Sequence, residues 1–253
     1  MNLKQVMKEL EANGSAQTRK TYRRHGATGD MFGVSYAVLG KLRKRIGLNQ
    51  ELAEELWATE NLDARTLATM VADPAKIKVR TLDAWARSAG NRGTAAAISN
   101  LAAEAPSARK QMEKWTKARS EMVACAGWHV LASLAREDAD LPEPLFEERL
   151  AQIEASIHDA KNWVKYAMNN ALISIGVRNS RLEKKAIAAA RRIGVVEVDH
   201  GDTSCKTPDA AASIKKAVAH KKAKRARKEA RACLLYTSAS PRDGLLSRMP
   251  SSA

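Results

Sequence analysis

An all-α fold is what this sequence predicts: one domain, curved into an α–α superhelix of stacked helix pairs. Three observations point there. Apolar residues recur at 3.6-residue spacing along most of the chain, and no alternating strand pattern competes. The 253 residues include only two Phe and four Tyr, while Ala, Leu, Ile and Val are frequent; that suits close-packed helices better than sheets of β-branched and aromatic residues. The patterned segments run roughly 10–16 residues with short joints, which makes neighbouring helices antiparallel.

In chain order, helices are expected at 2–12 and 15–25, then at 35–46, where Val38, Leu39, Leu42 and Ile46 share a face between an entry at Ser35 and a stop at Gly47. Helices at 49–58 and 62–72 follow. Leu67, Met70 and Val71 line the latter, which stops at Asp73 because the residue before Pro74 disfavours α geometry. Next come 79–88, 93–104 and 107–117. The helix at 121–136 begins behind Ser120 as its N-cap and aligns Val123, Gly127, Val130, Leu131 and Leu134. One at 145–158 precedes 161–175, which aligns Val164, Met168, Ala171, Leu172 and Ile175 and ends at Gly176. The helix at 180–193 and a basic helix at 208–231 complete the array. No exact period is present, so this is a degenerate repeat array with a concave face lined by one helix of each pair.

The length suffices for a single helical domain, placed at 1–232, with a sizeable core. Cys125, Cys205 and Cys233 lie far apart with no CxxC pair, which argues against a disulfide framework or a zinc site and fits a reducing compartment. No apolar run reaches the roughly 18–20 residues of a membrane span, and the polar N-terminus is no signal peptide. A cytoplasmic, nucleoid-associated monomer without cofactor or metal is the expectation.

The net charge of +15 fits a polyanionic partner. Residues 215–231 hold nine Lys/Arg against one Glu, so +8 of it sits in the tail. Such a tail supports non-specific nucleic-acid binding or mere solubility equally well. Residues 234–253 (LLYTSASPRDGLLSRMPSSA) break from that pattern and resemble translated read-through of a sequencing adapter. They are expected to take no part in the fold, with the natural C-terminus near Cys233.

Basic residues group on helix faces. Arg19, Lys20, Arg23 and Arg24 form one stripe, and Lys41, Lys44 and Arg45 a second. Such groups can neutralise successive phosphates, with binding that weakens steeply in salt, or they can form a solvated face. In the second half, Lys161 and Lys165 read as phosphate contacts and Lys184 and Lys185 as solvated. Trp57, Trp85, Trp115, Trp128 and Trp163 can stack on bases, but at helical spacing they read first as core.

The run VEVDHGDTSCKTPDA crowds Asp199, His200, Asp202, Cys205 and Lys206 between two helices. A metal site lacks zinc spacing, and a catalytic Cys–His pair lacks a third group. The preferred reading is a capping and packing loop: Thr207 caps the last helix, Pro208 takes its first turn, and Asp199 and His200 bind backbone. Lys206 can also reach phosphate.

Several segments carry a resemblance: TRKTYRRH at 18–25, MFGVSYAVLGKLRKRI at 31–46, LWATENLDARTLATMVAD at 56–73, LDAW at 82–85 and VVEVDHGDTSCKTP at 195–208. In these the chain resembles the DNA alkylation repair family, the HEAT-like helical DNA glycosylases of the AlkD type. The resemblance implies a HEAT-like array with double-stranded DNA, alkylated or distorted, on its concave face, and it makes Tyr22 a DNA-facing residue. It also implies excision of N3- or N7-alkylpurines, with tryptophans packed on the deoxyribose and an aspartate stabilising the developing oxocarbenium ion.

Those chemical positions depart from the family. With Asn100 set against the closing Asn of the pattern SWDxxDxxxxN, the tryptophan position holds Asn91 and the aspartate position Ala95. A family arginine falls at Cys125 and a second tryptophan near Asn170. A cationic sugar needs a carboxylate and aromatic faces close by. The expected function is therefore DNA binding with the glycosylase site lost. An active glycosylase using another acid, or a protein-binding helical scaffold, are the alternatives.

Overall fold

The structure, a computed structural model, describes residues 1–138 and 140–237; of residue 228 and residues 231–237 it describes the backbone alone. The described residues form thirteen helices and no strand. They are α1 (Leu3–Ala12), α2 (Ala16–Arg24), α3 (Tyr36–Ile46), α4 (Gln50–Ala58), α5 (Leu62–Val71), α6 (Val79–Arg87), α7 (Arg92–Glu104), α8 (Ala108–Trp115), α9 (Glu121–Glu137), α10 (Glu143–Ser156), α11 (Asn162–Gly176), α12 (Ser180–Ile193) and α13 (Ala210–Thr237). Each stripe read from the sequence lies on one of them. No described helix is long and apolar enough to cross a membrane.

Short polar caps start many of these helices. Asn2 and Gln5 form a reciprocal capping box, and the side chains of Ser15, Ser35, Asn49, Asn61, Asn91 and Asn179 each accept a backbone N–H of the first turn. Ser120 occupies the N-cap of α9 but makes no such bond. Helix α10 begins at Glu143, two residues before the expected start, because a first turn tolerates Pro144. Helix α13 begins at Ala210, and its cap is Asp209, whose carboxylate accepts from Ala212 N at 2.6 Å. Thr207 is therefore not the cap, and Pro208 lies outside the helix. The helix runs on to Thr237, past 231 and into the segment set aside on sequence grounds; residues 238–253 lie outside the described residues.

Helices α3, α5, α7, α9, α11 and α13 pack side by side in that order, and the even-numbered helices from α4 to α12 back them. Helix α9 is the spine. Nearly every residue from Val123 to Ala135 is buried, as expected of a helix apolar all round. Gly127 lets α9 close onto α8, since a Cβ there would meet Thr116 N at 2.5 Å. Gly176 does the same at the far end, where a Cβ would meet Ile214 Cδ1 at 2.7 Å and lift α13 off the array. Trp57 and Trp85 stack in parallel with centroids 4.3 Å apart, buried between helices as expected.

The segment joining α2 to α3 is built around a buried acid. It wraps Asp63, which is 1 % exposed and whose carboxylate accepts the backbone N–H groups of Phe32 (2.7 Å), Gly33 (2.9 Å) and Val34 (2.9 Å). Gly33 sits at φ 79°, and a Cβ would strike Ser15 O at 2.5 Å. Gly33→Ala is expected to lower the thermal midpoint markedly through this double conflict. A melt unchanged within error would refute it.

Candidate nucleic-acid interface

The row of odd-numbered helices encloses a groove. Its main cavity, about 760 Å³, is lined from α3 to α11, including Tyr36, Gly40, Arg43, Thr69, Arg92, Gly93, Ala96, Ala97, Asn100, Glu104, His129, Tyr166 and Asn170. A second cavity of about 270 Å³ continues it past Arg92 and Gly93 to Tyr22, His25, Thr66, Asn91 and Thr94. Tyr36 stands 55 % exposed at the junction, edge-on to Tyr22 at 6.4 Å. The Tyr22 hydroxyl donates to Val34 O at 2.6 Å, so the loop held by Asp63 fixes that ring. Burial, then Tyr36 and Asp63, push the Tyr22 phenol up to about 12.

At the centre lies a cluster not foreseen from sequence. The Arg92 guanidinium rests on Trp163 (4.7 Å) and Tyr166 (5.0 Å), and His200 stands edge-on to both rings at 5.9 and 5.6 Å. The loop over residues 195–209 holds that cluster shut. Asn162 pairs with the Asp199 backbone in both directions (2.8 and 2.7 Å), His200 Nε2 meets Thr207 Oγ1 at 3.0 Å, and Asn169 donates to Pro208 O at 2.9 Å. Asp199 also accepts from Gly201 N at 2.8 Å. The loop therefore packs and caps locally, as preferred, although His200 bonds a side chain instead of backbone.

The expected phosphate contacts separate into groups. Lys20, Arg23, Arg24, Lys41, Lys44 and Lys206 are exposed, and Tyr22 lines the groove. Arg19 is half-buried and donates to Phe32 O at 2.9 Å, so it braces the loop. Arg45 is held by both Glu9 oxygens (2.7 and 2.9 Å), away from the groove-lining face of α3. Lys161 donates to Arg119 O at 3.0 Å and lines a separate cavity among α8, α9, α10 and α11. Lys165 is half-buried and outside the groove's lining, because α11 turns Tyr166 and Asn170 into it instead. Arg43, passed over in the run KLRKRI, does line the groove; its spacing of seven from Tyr36 was the available signal.

The positions of altered chemistry divide likewise. Asn91 lines the groove as N-cap of α7, accepting from Thr94 N at 3.0 Å, and Asn170 faces the main cavity. Ala95 and Cys125 are 0 % exposed and belong to the core. A carboxylate at 95 would be buried away from the groove. The face of α7 that meets the groove carries Arg92, Gly93, Ala96, Ala97, Asn100 and Glu104. Burial pushes the Cys125 thiol up to about 12 against a smaller opposite influence from Arg92. A guanidinium thus comes within electrostatic reach of position 125, but from α7.

Asp83 has a structural role. Burial opposes its ionisation, but hydrogen bonds from Lys114 (2.6 Å) and Trp115 Nε1 (2.8 Å) hold it below the usual carboxylate range. Among the described lining residues of both cavities, Glu104 is the one carboxylate.

A family model described as DNA alkylation repair enzyme matches residues 6–220. The chain belongs to the DNA alkylation repair enzyme family. A solved structure described as one of a new family of proteins related to the HEAT-like repeat DNA glycosylases with affinity for branched DNA structures superposes with TM-score 0.81 at 32% identity, covering 87% of this chain and 95% of that one. The array is thus HEAT-like, as the sequence led us to expect. Family relatives include an uncharacterized protein of Listeria innocua, 29% identical over 220 residues (84% of this chain, 96% of the relative), and one of Listeria monocytogenes, 28% identical over the same shares.

Proposed function

We propose that this DNA alkylation repair family protein binds DNA along the concave groove, duplex and branched forms alike, without excising alkylated bases. The observation that carries this is the groove face of α7: cationic or neutral from Arg92 to Asn100, with the one lining carboxylate at its far end. Such a face suits phosphates and gives a developing sugar cation nothing to lean on. The structural neighbour's affinity for branched DNA supports the choice of partner.

The test is anisotropy on a four-way junction and a matched duplex at several salt concentrations. Replacing Arg23, Arg43 and Lys44 with Ala is expected to weaken both complexes and flatten the salt dependence by about 0.9 for every phosphate no longer neutralised. Arg45→Ala, already neutralised by Glu9, is expected to change little. Unchanged affinity in the triple variant would refute phosphate contacts from α2 and α3 and leave the α7 face or the basic α13 as the site. An active glycosylase remains the second reading, favoured by one observation: Glu104 lines the same cavity.

A further inference from the structure

We propose that Arg92, His129, Asn170 and the opening turn of α7 form a subsite that grips one phosphate group of a DNA strand. The inference deepens the DNA-binding reading and rests on it.

Arg92 is unusually placed for an arginine. Its Cζ lies against the Trp163 and Tyr166 rings, and among the described residues nothing accepts a hydrogen bond from its guanidinium. A guanidinium has five donors, so the two rings hold it ready while its edge stays free. His129, largely buried, lines the same cavity, and its Nε2 is enclosed without a partner. Asn170 adds an amide from α11. Arg92 and Gly93 are also the first two residues of α7. Asn91 satisfies the N–H of Thr94, which leaves the N–H groups of Arg92 and Gly93 unclaimed at the positive end of the helix.

Guanidinium, imidazole N–H, amide NH₂ and helix-start N–H groups all donate. A phosphate only accepts, whereas a nucleobase edge would require matched acceptors. Glu104, the one acid in the lining, lies twelve residues along the helix, about 18 Å away at 1.5 Å per residue. Within the lining, then, no carboxylate lies beside Arg92; Glu121, outside it, is engaged by the backbone N–H of Trp163 at 2.7 Å.

His129 reports on the site. Burial, then the cations Arg92 and Arg136, push its imidazole down to about 4. An anion seated against Arg92 offsets that repulsion and raises the value. Nuclear magnetic resonance titration of His129 in the full chain, with and without saturating inorganic phosphate, is expected to show a rise of about one unit. Arg92→Met, which keeps a stem on the rings without the charge, is expected to abolish the ligand-dependent rise. A short duplex in place of phosphate tests the source of the group. A phosphate response without a DNA response would overturn DNA as its source and leave the subsite standing; no response to either would overturn the subsite.

A second measurement avoids acid pH. Arg92→Met is expected to lower duplex affinity about tenfold at neutral pH and to reduce the salt slope by about 0.9, while Arg92→Lys retains most of the slope. Equal slopes for wild type and Arg92→Met would refute the contact even where both variants fold and bind.

Discussion

Duplex DNA carrying 7-methylguanine is expected to keep its modified base after prolonged incubation with this protein. Removing one group that stabilises charge in a transition state typically costs a factor of about 10²–10³, and here positions 91 and 170 carry no ring either. Asn91 is spent on capping α7, and Asn170 offers an amide where a ring would be needed. Single-turnover release of methylated base from alkylated DNA checks this. Robust release by the wild type would reinstate the glycosylase, and its loss in Glu104→Gln would name the acid. A gain-of-function arm should follow the geometry. Ala96→Asp with Asn170→Trp puts a carboxylate and a ring on groove-facing positions, whereas Ala95→Asp would bury a charge in the core.

The second large effect concerns stability. Asp63→Ala is expected to leave three backbone N–H groups, those of Phe32, Gly33 and Val34, without their acceptor in a buried setting. At about 1–3 kcal/mol for each unsatisfied group, the loss is on the order of 3 kcal/mol or more. For a chain of this length that corresponds to roughly 6–12 °C in Tm. Tyr22, whose hydroxyl holds Val34 O, is expected to loosen with the loop, so DNA affinity falls below the melting temperature too. Calorimetry checks the first effect. A shift under 2 °C, on the scale of about 1 kcal/mol or less, would show that the loop is held by something other than Asp63.

The helices were legible in the sequence because most are amphipathic and many are capped by a single Ser or Asn. Which face meets the groove was not. Residues 94–97 of α7 read Thr-Ala-Ala-Ala, and alanine marks neither inside nor outside, so the sequence did not show that Ala95 is buried while Ala96 and Ala97 line the cavity. In α3, residues 41, 43, 44 and 45 are all basic, and only packing against α5 decides that Arg43 lines the cavity while Arg45 reaches Glu9. Arg92 drew no notice because its aromatic supports come from α11, distant in sequence. The crowded residues of the 195–209 loop suggested chemistry. Asp199 and His200 turn out to serve position, with His200 held edge-on to the rings that carry Arg92.

Helix α13 has a kinetic consequence. Ile214 is fully buried against Gly176, so the inner end of α13 is fixed to the array, while its exposed outer length carries most of a +8 segment. About half of the +15 net charge is therefore gathered in the last described helix of the array. In the field of a polyanion such a body turns as it diffuses, and that end arrives first. Under the proposed groove binding, encounter and final seating are separate events, governed by different cations. Added salt then slows capture through α13 within a Debye length of about 10 Å at 0.1 M, while escape from the seated complex answers to the groove.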